Sequence, residues 1–220
     1  MASKRNEPVV VIGLGRFGSS LALELLRRDA QILAIDGNPK LVQAMSTRIP
    51  HVVVADATDP DALAQLGVAE FHRAVVAIGT DQEASILATA NLADLEIGDI
   101  WAKAVNRQHG KILQRVGAHH VVLPEHDMGE RVAHLLSGEM LDYIELDEGY
   151  VMAKTRPPRD VVGTRLGETG LRARYGVTIV AVKPQNGTFT YADRDTILQY
   201  GDIIMVAGPE EKVERFATLD

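Results

Sequence analysis

At 220 residues with 46% hydrophobic content, the chain is long enough to bury one full α/β core and a second, smaller one. Lys and Arg total 23 against 30 Asp and Glu, and the resulting net charge of −7 opposes nonspecific attraction to nucleic acid, so no nucleic-acid partner is expected. With no cysteine, a disulfide framework and a thiolate metal site are both excluded, and cytoplasmic residence is the natural expectation.

Residues 1–8 are polar and contain no apolar stretch that could serve as a signal peptide. The next residues, VVVIGLGRFG from Val9 to Gly18, join a β-branched apolar run to a glycine turn. The run reads as a strand buried on both faces, and Gly13, Gly15 and Gly18 stand at G-x-G-x-x-G spacing. Residues 19–28 then carry apolar side chains at helical intervals, so the turn opens a helix whose N-terminus faces an anion. The first glycine permits the tight turn, the second lets the backbone approach a phosphate, and the third packs the helix closely on the sheet. Asp36 ends the following apolar run, where a carboxylate would accept hydrogen bonds from ribose hydroxyls and repel a 2′-phosphate.

Alternation continues, with helices expected over 39–47, 61–66, 82–95 and 107–116 and strands over 51–55, 74–78, 100–105 and 120–123. Strands alternating with helices imply an α/β, Rossmann-like, doubly wound parallel sheet, which holds its ligands at the carboxyl ends of its strands. That rule selects Arg16, Asp36, Asn38, Asp56, Thr58, Gly79, Thr80, either Lys103 or Asn106, and Glu125 as one crevice. A cation at a helix N-terminus is disfavoured unless something negative binds there, which points Arg16 at phosphate. Asp56 and Thr58 suit either an adenine or ribose edge or a helix cap. Glu125 suits either the first turn of a helix or a cation held beside phosphates. The histidine pair at 119 and 120 faces opposite sides of a strand, and His126 lies apart, so neither reads as a metal site.

A helix is expected over 128–140, with nothing obvious for it to cover once the sheet is complete, so it reads as a linker or dimerisation helix. From residue 141 the texture changes to strands over 143–146, 150–154, 177–182, 188–191 and 203–206, with helices over 166–175 and 210–219. The expected domains are therefore 1–127, a connecting segment 128–141, and 142–220. All seven histidines precede residue 135, which leaves the C-terminal part without a His or Cys of its own for chemistry.

The ordered set Gly13-Leu-Gly-Arg-Phe-Gly18, Ala34-Ile-Asp36, Asp56-Ala-Thr-Asp59, Ala77-Ile-Gly-Thr80, Ala102-Lys-Ala104, Gly117-Ala118 and Val122-Leu-Pro-Glu125 resembles the RCK (regulator of potassium conductance) family. Within that family it resembles the cytosolic gating subunits of bacterial Ktr and Trk potassium uptake systems, of KtrA or TrkA type. Leu171-Arg-Ala-Arg-Tyr-Gly176 and Tyr200-Gly-Asp202 resemble the family's smaller α/β RCK-C domain. The resemblance implies a non-enzymatic RCK-N domain that binds ATP or ADP, assembled as an octameric ring of dimers beneath an integral-membrane potassium-translocating subunit. It implies a nucleotide site made of Gly13, Leu14, Gly15, Arg16, Phe17, Gly18, Asp36, Asn38, Asp56, Ala57, Thr58, Ile78, Gly79, Thr80, Lys103 and Glu125. On the same analogy Glu125, facing its counterpart across a dimer, helps hold a divalent cation or Na⁺ at the γ-phosphate. The RCK-C domains of some relatives bind cyclic di-AMP at their dimer interface, and the resemblance implies that Leu166, Leu171, Arg172, Val177 and Thr178 fall where such a pocket would form. The competing reading is an NAD-dependent oxidoreductase, which needs a general acid or base in its second domain. A redox-sensing repressor is a third, and it wants a basic DNA-reading helix that the acidic chain does not show.

Overall fold

The computed structural model describes residues 7–136 and 140–219, which fall into two compact units divided after His126. In the first unit, six strands form one parallel sheet in the order β3-β2-β1-β4-β5-β6: β1 (Val9–Ile12), β2 (Ile32–Asp36), β3 (Val52–Val54), β4 (Arg73–Val76), β5 (Asp99–Lys103) and β6 (His120–Val122). All five pairings are parallel, with Val9 opposite both Ile32 and Arg73. Such strands need helical crossovers, and these lie on both faces. One face packs Val9, Val11, Ile32 and Ala34 against Ala22 of α1 (Arg16–Arg27) and Val42 of α2 (Pro39–Met45). The other packs Val10, Ile12, Val76, Ile100 and Ala102 against Leu63 of α3 (Pro60–Gln65), Leu92 of α4 (Gln82–Asp94) and Leu113 of α5 (Arg107–Arg115). The central strands β1 and β4 bury residues of both faces, which is why Val9–Ile12 and Ala74–Val76 are continuously apolar rather than alternating.

The order reverses between β1 and β4, and the crevice opens at that point. Gly13 N–H donates to Ile35 O at 2.8 Å and Ala77 N–H to Ile12 O at 2.7 Å, so the loops after β1, β2 and β4 are laced together where the strands end. A Cβ placed on Gly18 would stand 1.8 Å from the Gly13 carbonyl oxygen, so no larger residue lets α1 approach its own loop this closely.

The second unit is built on a five-stranded antiparallel sheet, β10-β9-β11-β8-β7, from β7 (Asp142–Asp147), β8 (Tyr150–Thr155), β9 (Thr178–Lys183), β10 (Thr190–Tyr191) and β11 (Ile203–Pro209). Val151, Ile179, Ile204 and Val206 pack with Leu171 of α8 (Leu171–Tyr175) and with Val213 and Phe216 of α9 (Glu210–Ala217). Two expectations are corrected. The helix foreseen over 128–140 is α6 (Pro124–Leu136), starting four residues earlier because Pro124 can occupy a first helical position, where its missing N–H has no partner to lose. The last three residues before Met140 lie outside the described ones. The single helix foreseen over 166–175 is α7 (Leu166–Thr169) and α8, broken at Gly170, whose φ of +61° no right-handed helix continues.

Candidate functional site

The carboxyl ends of β1 to β5 enclose a cavity of about 450 Å³. Of the sequence-selected residues, Gly13, Gly15, Arg16, Phe17, Asp36, Asn38, Asp56, Ala57, Thr58, Ile78, Gly79, Thr80, Lys103 and Glu125 all line it. Leu14 and Gly18 do not. Leu14 is 1% exposed and turns into the core, and Gly18 is the buried contact between α1 and its loop. Asn106, offered as an alternative to Lys103, instead caps α5 by accepting from His109 N–H at 2.8 Å.

Each wall has a distinct chemistry. At the entry of α1, Gly15 is the N-cap with no side-chain bond, and no acidic residue stands in the first turn. The free N–H groups and the guanidinium of exposed Arg16 therefore present positive charge to the cavity with nothing of the helix's own to neutralise it. Across from it, Asp36 holds the loop: its Oδ2 accepts from Leu14 N–H at 2.6 Å and its Oδ1 from Asn38 N–H at 2.7 Å. A carboxylate has about four acceptor directions, so two remain for hydroxyls arriving from the cavity. Asn38 in turn caps α2 through Lys40 N–H at 3.0 Å.

The alternatives for Asp56 separate in the structure. Capping of α3 falls to Asp59, whose Oδ1 accepts from Asp61 N–H at 2.9 Å, while Asp56 folds a local turn. Its Oδ1 accepts from Thr58 N–H at 2.9 Å and from the Thr58 hydroxyl at 2.7 Å, and these bonds, backbone first, hold the Asp56 carboxyl below its usual range. The amide of Asn91 on α4 braces this loop from behind, donating to Ala57 O at 3.1 Å and Thr58 O at 3.0 Å. Asn91 was missed by sequence reasoning because its partners lie more than thirty residues away. Also missed were the apolar lining residues Ile12, Ile35, Leu41, Ala55, Ala77 and Ala84, which strand and helix patterns assign to the core.

Lys103 and Glu125 form the remaining wall. The Lys103 side chain is only 10% exposed, and its Nζ lies 2.6 Å from Glu125 Oε1, in the first turn of α6, and 5.9 Å from the centre of the Phe17 ring. Lys103 first, then burial and the more distant Arg16 charge, decide the titration of Glu125, and the net effect lowers it. Glu125 is thus neither a simple helix cap nor a lone carboxylate.

In the second unit, Leu166, Leu171, Arg172, Val177 and Thr178 line one cavity of about 480 Å³, and Arg172 Nε donates to Thr178 Oγ1 at 3.1 Å.

Residues 9–124 match the TrkA-N domain and residues 151–219 the TrkA-C domain. The chain belongs to the TrkA family. This TrkA-type chain is 36% identical over 217 residues to the Ktr system potassium uptake protein A of Bacillus subtilis strain 168, covering 98% of each. It is also similar to the solved GsuK RCK domain, with a TM-score of 0.66 at 20% identity over 99% of this chain and 49% of that one, so it spans about half that chain's length. A GsuK structure bound to ADP aligns with a TM-score of 0.53 at 26% identity, over 63% of the TrkA-type chain and 36% of the other. Among the described residues no helix is long and apolar enough to cross a membrane.

Proposed function

We propose that this chain is a nucleotide-sensing regulatory subunit of a potassium uptake system, without catalytic activity of its own, that works from the cytoplasmic face on a separate integral-membrane potassium-translocating subunit. The observation that carries the reading is the single cavity in which uncapped helix amides and Arg16 oppose the hydroxyl-ready carboxylate of Asp36. Phosphates and a ribose are what such a pair of walls would hold apart. Family membership and the similarity to a Ktr uptake protein supply the transport context.

ATP and ADP are the proposed ligands, with NAD(H) as the competitor. GsuK is solved both with ADP and with NAD, so those structures support a nucleotide in the cavity and the titration below decides between the pairs. Arg16 would meet the phosphates, Asp36 the ribose, and Asp56 with Thr58 the adenosine. A terminal phosphate near Lys103 would compete with Glu125 for its ammonium, giving ATP and ADP unequal contacts, and a ligand shifts a conformational equilibrium only through such a difference. The cation expected at Glu125 finds too few donors in one chain, since Lys103 already balances the one carboxylate. It would need phosphate oxygens and a second subunit, in keeping with α6 as a dimerisation helix in an octameric ring. Cyclic di-AMP is the proposed ligand of the cavity around Arg172.

Calorimetric titration of ATP, ADP, NAD and NADH tests the reading. Arg16→Ala is expected to weaken ATP binding roughly tenfold or more, the worth of one charge-assisted hydrogen bond. Undiminished ATP affinity would remove Arg16 as the anchor, and turnover of carbonyl substrates with NADH would move the chain to the oxidoreductases.

A further inference from the structure

The histidines all lie in the first 134 residues, yet the last of them meets two carboxylates from the other end of the chain. Glu210 and Glu214 stand four residues apart on α9 and so share one helix face, and His134 in the last turn of α6 points at both. His134 Nδ1 is 3.4 Å from Glu214 Oε1, and His134 Nε2 is 3.8 Å from Glu210 Oε1. One donor atom from each of the three lies within 4.8 Å of the others.

A charge-assisted N–H···O bond spans about 2.7–2.9 Å. Two ligands of a tetrahedral zinc, with bonds of about 2.0–2.1 Å, stand about 3.4 Å apart. The spacing of His134 Nδ1 from Glu214 matches the second, and a Glu210 carboxylate oxygen completes a set of three donor atoms within 4.8 Å of one another. The ring is also oriented from outside. His134 stacks on buried Tyr143 with centroids 4.0 Å apart and planes 16° from parallel, while the Tyr143 hydroxyl donates to Glu210 Oε1 at 2.8 Å. Such supporting bonds are how proteins aim metal ligands. An adjoining cavity of about 580 Å³, lined by Glu211, Glu214 and Arg215, gives access and room for water.

We propose that His134, Glu210 and Glu214 are the three protein ligands of a divalent transition metal of the zinc class, with a further coordination position left to water. An imidazole nitrogen beside two carboxylates suits Zn²⁺ or Co²⁺ better than Mg²⁺ or Ca²⁺, which take all-oxygen shells. The ion relieves the repulsion of two like charges four residues apart on one helix and ties α6 to α9 within the second unit. It shares no residue with the nucleotide cavity, so either assignment can fail without the other.

Zinc chloride titrated into the full chain without nucleotide is expected to fill one site per chain and raise the melting temperature, and Co²⁺ to give visible d–d bands that fade on acidification as the imidazole is protonated. His134→Gln and Glu214→Gln should each weaken zinc binding by roughly 100-fold or more. His51→Gln, at an exposed position elsewhere, should not. Ring NMR of the wild type gives a reading that needs no variant, with zinc moving the His134 resonances and leaving those of His51 in place. A wild type that takes up no zinc, unmoved His134 resonances, or binding unaltered in both folded variants overturns the assignment.

Discussion

His109 shows how a single side chain can tie stability to pH. It is 1% exposed, its Nδ1 accepts from Val105 N–H at 3.3 Å, and no polar group among the described residues reaches its Nε2. The Nε2–H tautomer of a neutral ring is therefore the one that fits, since a second proton would break the Val105 bond and bury a charge. Burial accordingly pushes the folded-state pKa below the ordinary value of 6.5. The unfolded chain then binds the proton first, so the contribution is fully present above pH 6.5 and is lost as pH falls toward the folded value, with a slope of up to about 1.4 kcal/mol per pH unit. Urea unfolding across this range should show the slope, and His109→Gln should flatten it. Asp56, Glu125 and Asp142, whose carboxyls are lowered by Thr58, Lys103 and Arg131 in turn, act on stability only in more acid solution, as pH falls through the ordinary carboxylate range. A wild-type slope that survives in His109→Gln would assign the effect to another group.

Individual helices and strands divide into those whose ends are written locally and those whose ends are not. Strands β1 to β6 and helices α1 to α5 were legible because each strand is an apolar run and each helix begins at a glycine, Asn, Asp or Pro signal. The cavity was legible for a related reason: strand ends announce the polar residues that must converge there. Asn91 and the apolar lining were not, because their roles come from tertiary neighbours. The start of α6 was obscured by Pro124, which reads equally well as the end of a strand and as the head of a helix. Within 166–175 one helix was expected, and Gly170 breaks it in two. At Gly170 a new Cβ meets nothing nearer than Arg174 Cδ at 3.9 Å, so the cost of Gly170→Ala is backbone strain alone. A left-handed residue bearing a side chain costs about 1–2 kcal/mol, and denaturant unfolding should show that loss. Stability equal to wild type would mean that the α7–α8 break relaxes into continuous helix.

The molecule as a whole has two sets of cores with no residue in common. Val10, Ile12, Ile35, Leu63, Leu92 and Leu113 belong to the first unit, and Val151, Leu171, Ile204, Val213 and Phe216 to the second. Cooperative unfolding follows shared burial, so two transitions are expected in calorimetry rather than one. A ligand that binds only one folded unit stabilises that unit by mass action, about 2.7 kcal/mol at a hundred times its Kd. For units of this size that is a shift of roughly 10 °C. ATP or ADP should therefore raise one transition, Arg16→Ala should abolish that rise, and zinc should raise the other. A single transition moved by both ligands would show that the two cores unfold together, and the nucleotide and metal sites would then be energetically coupled rather than separate.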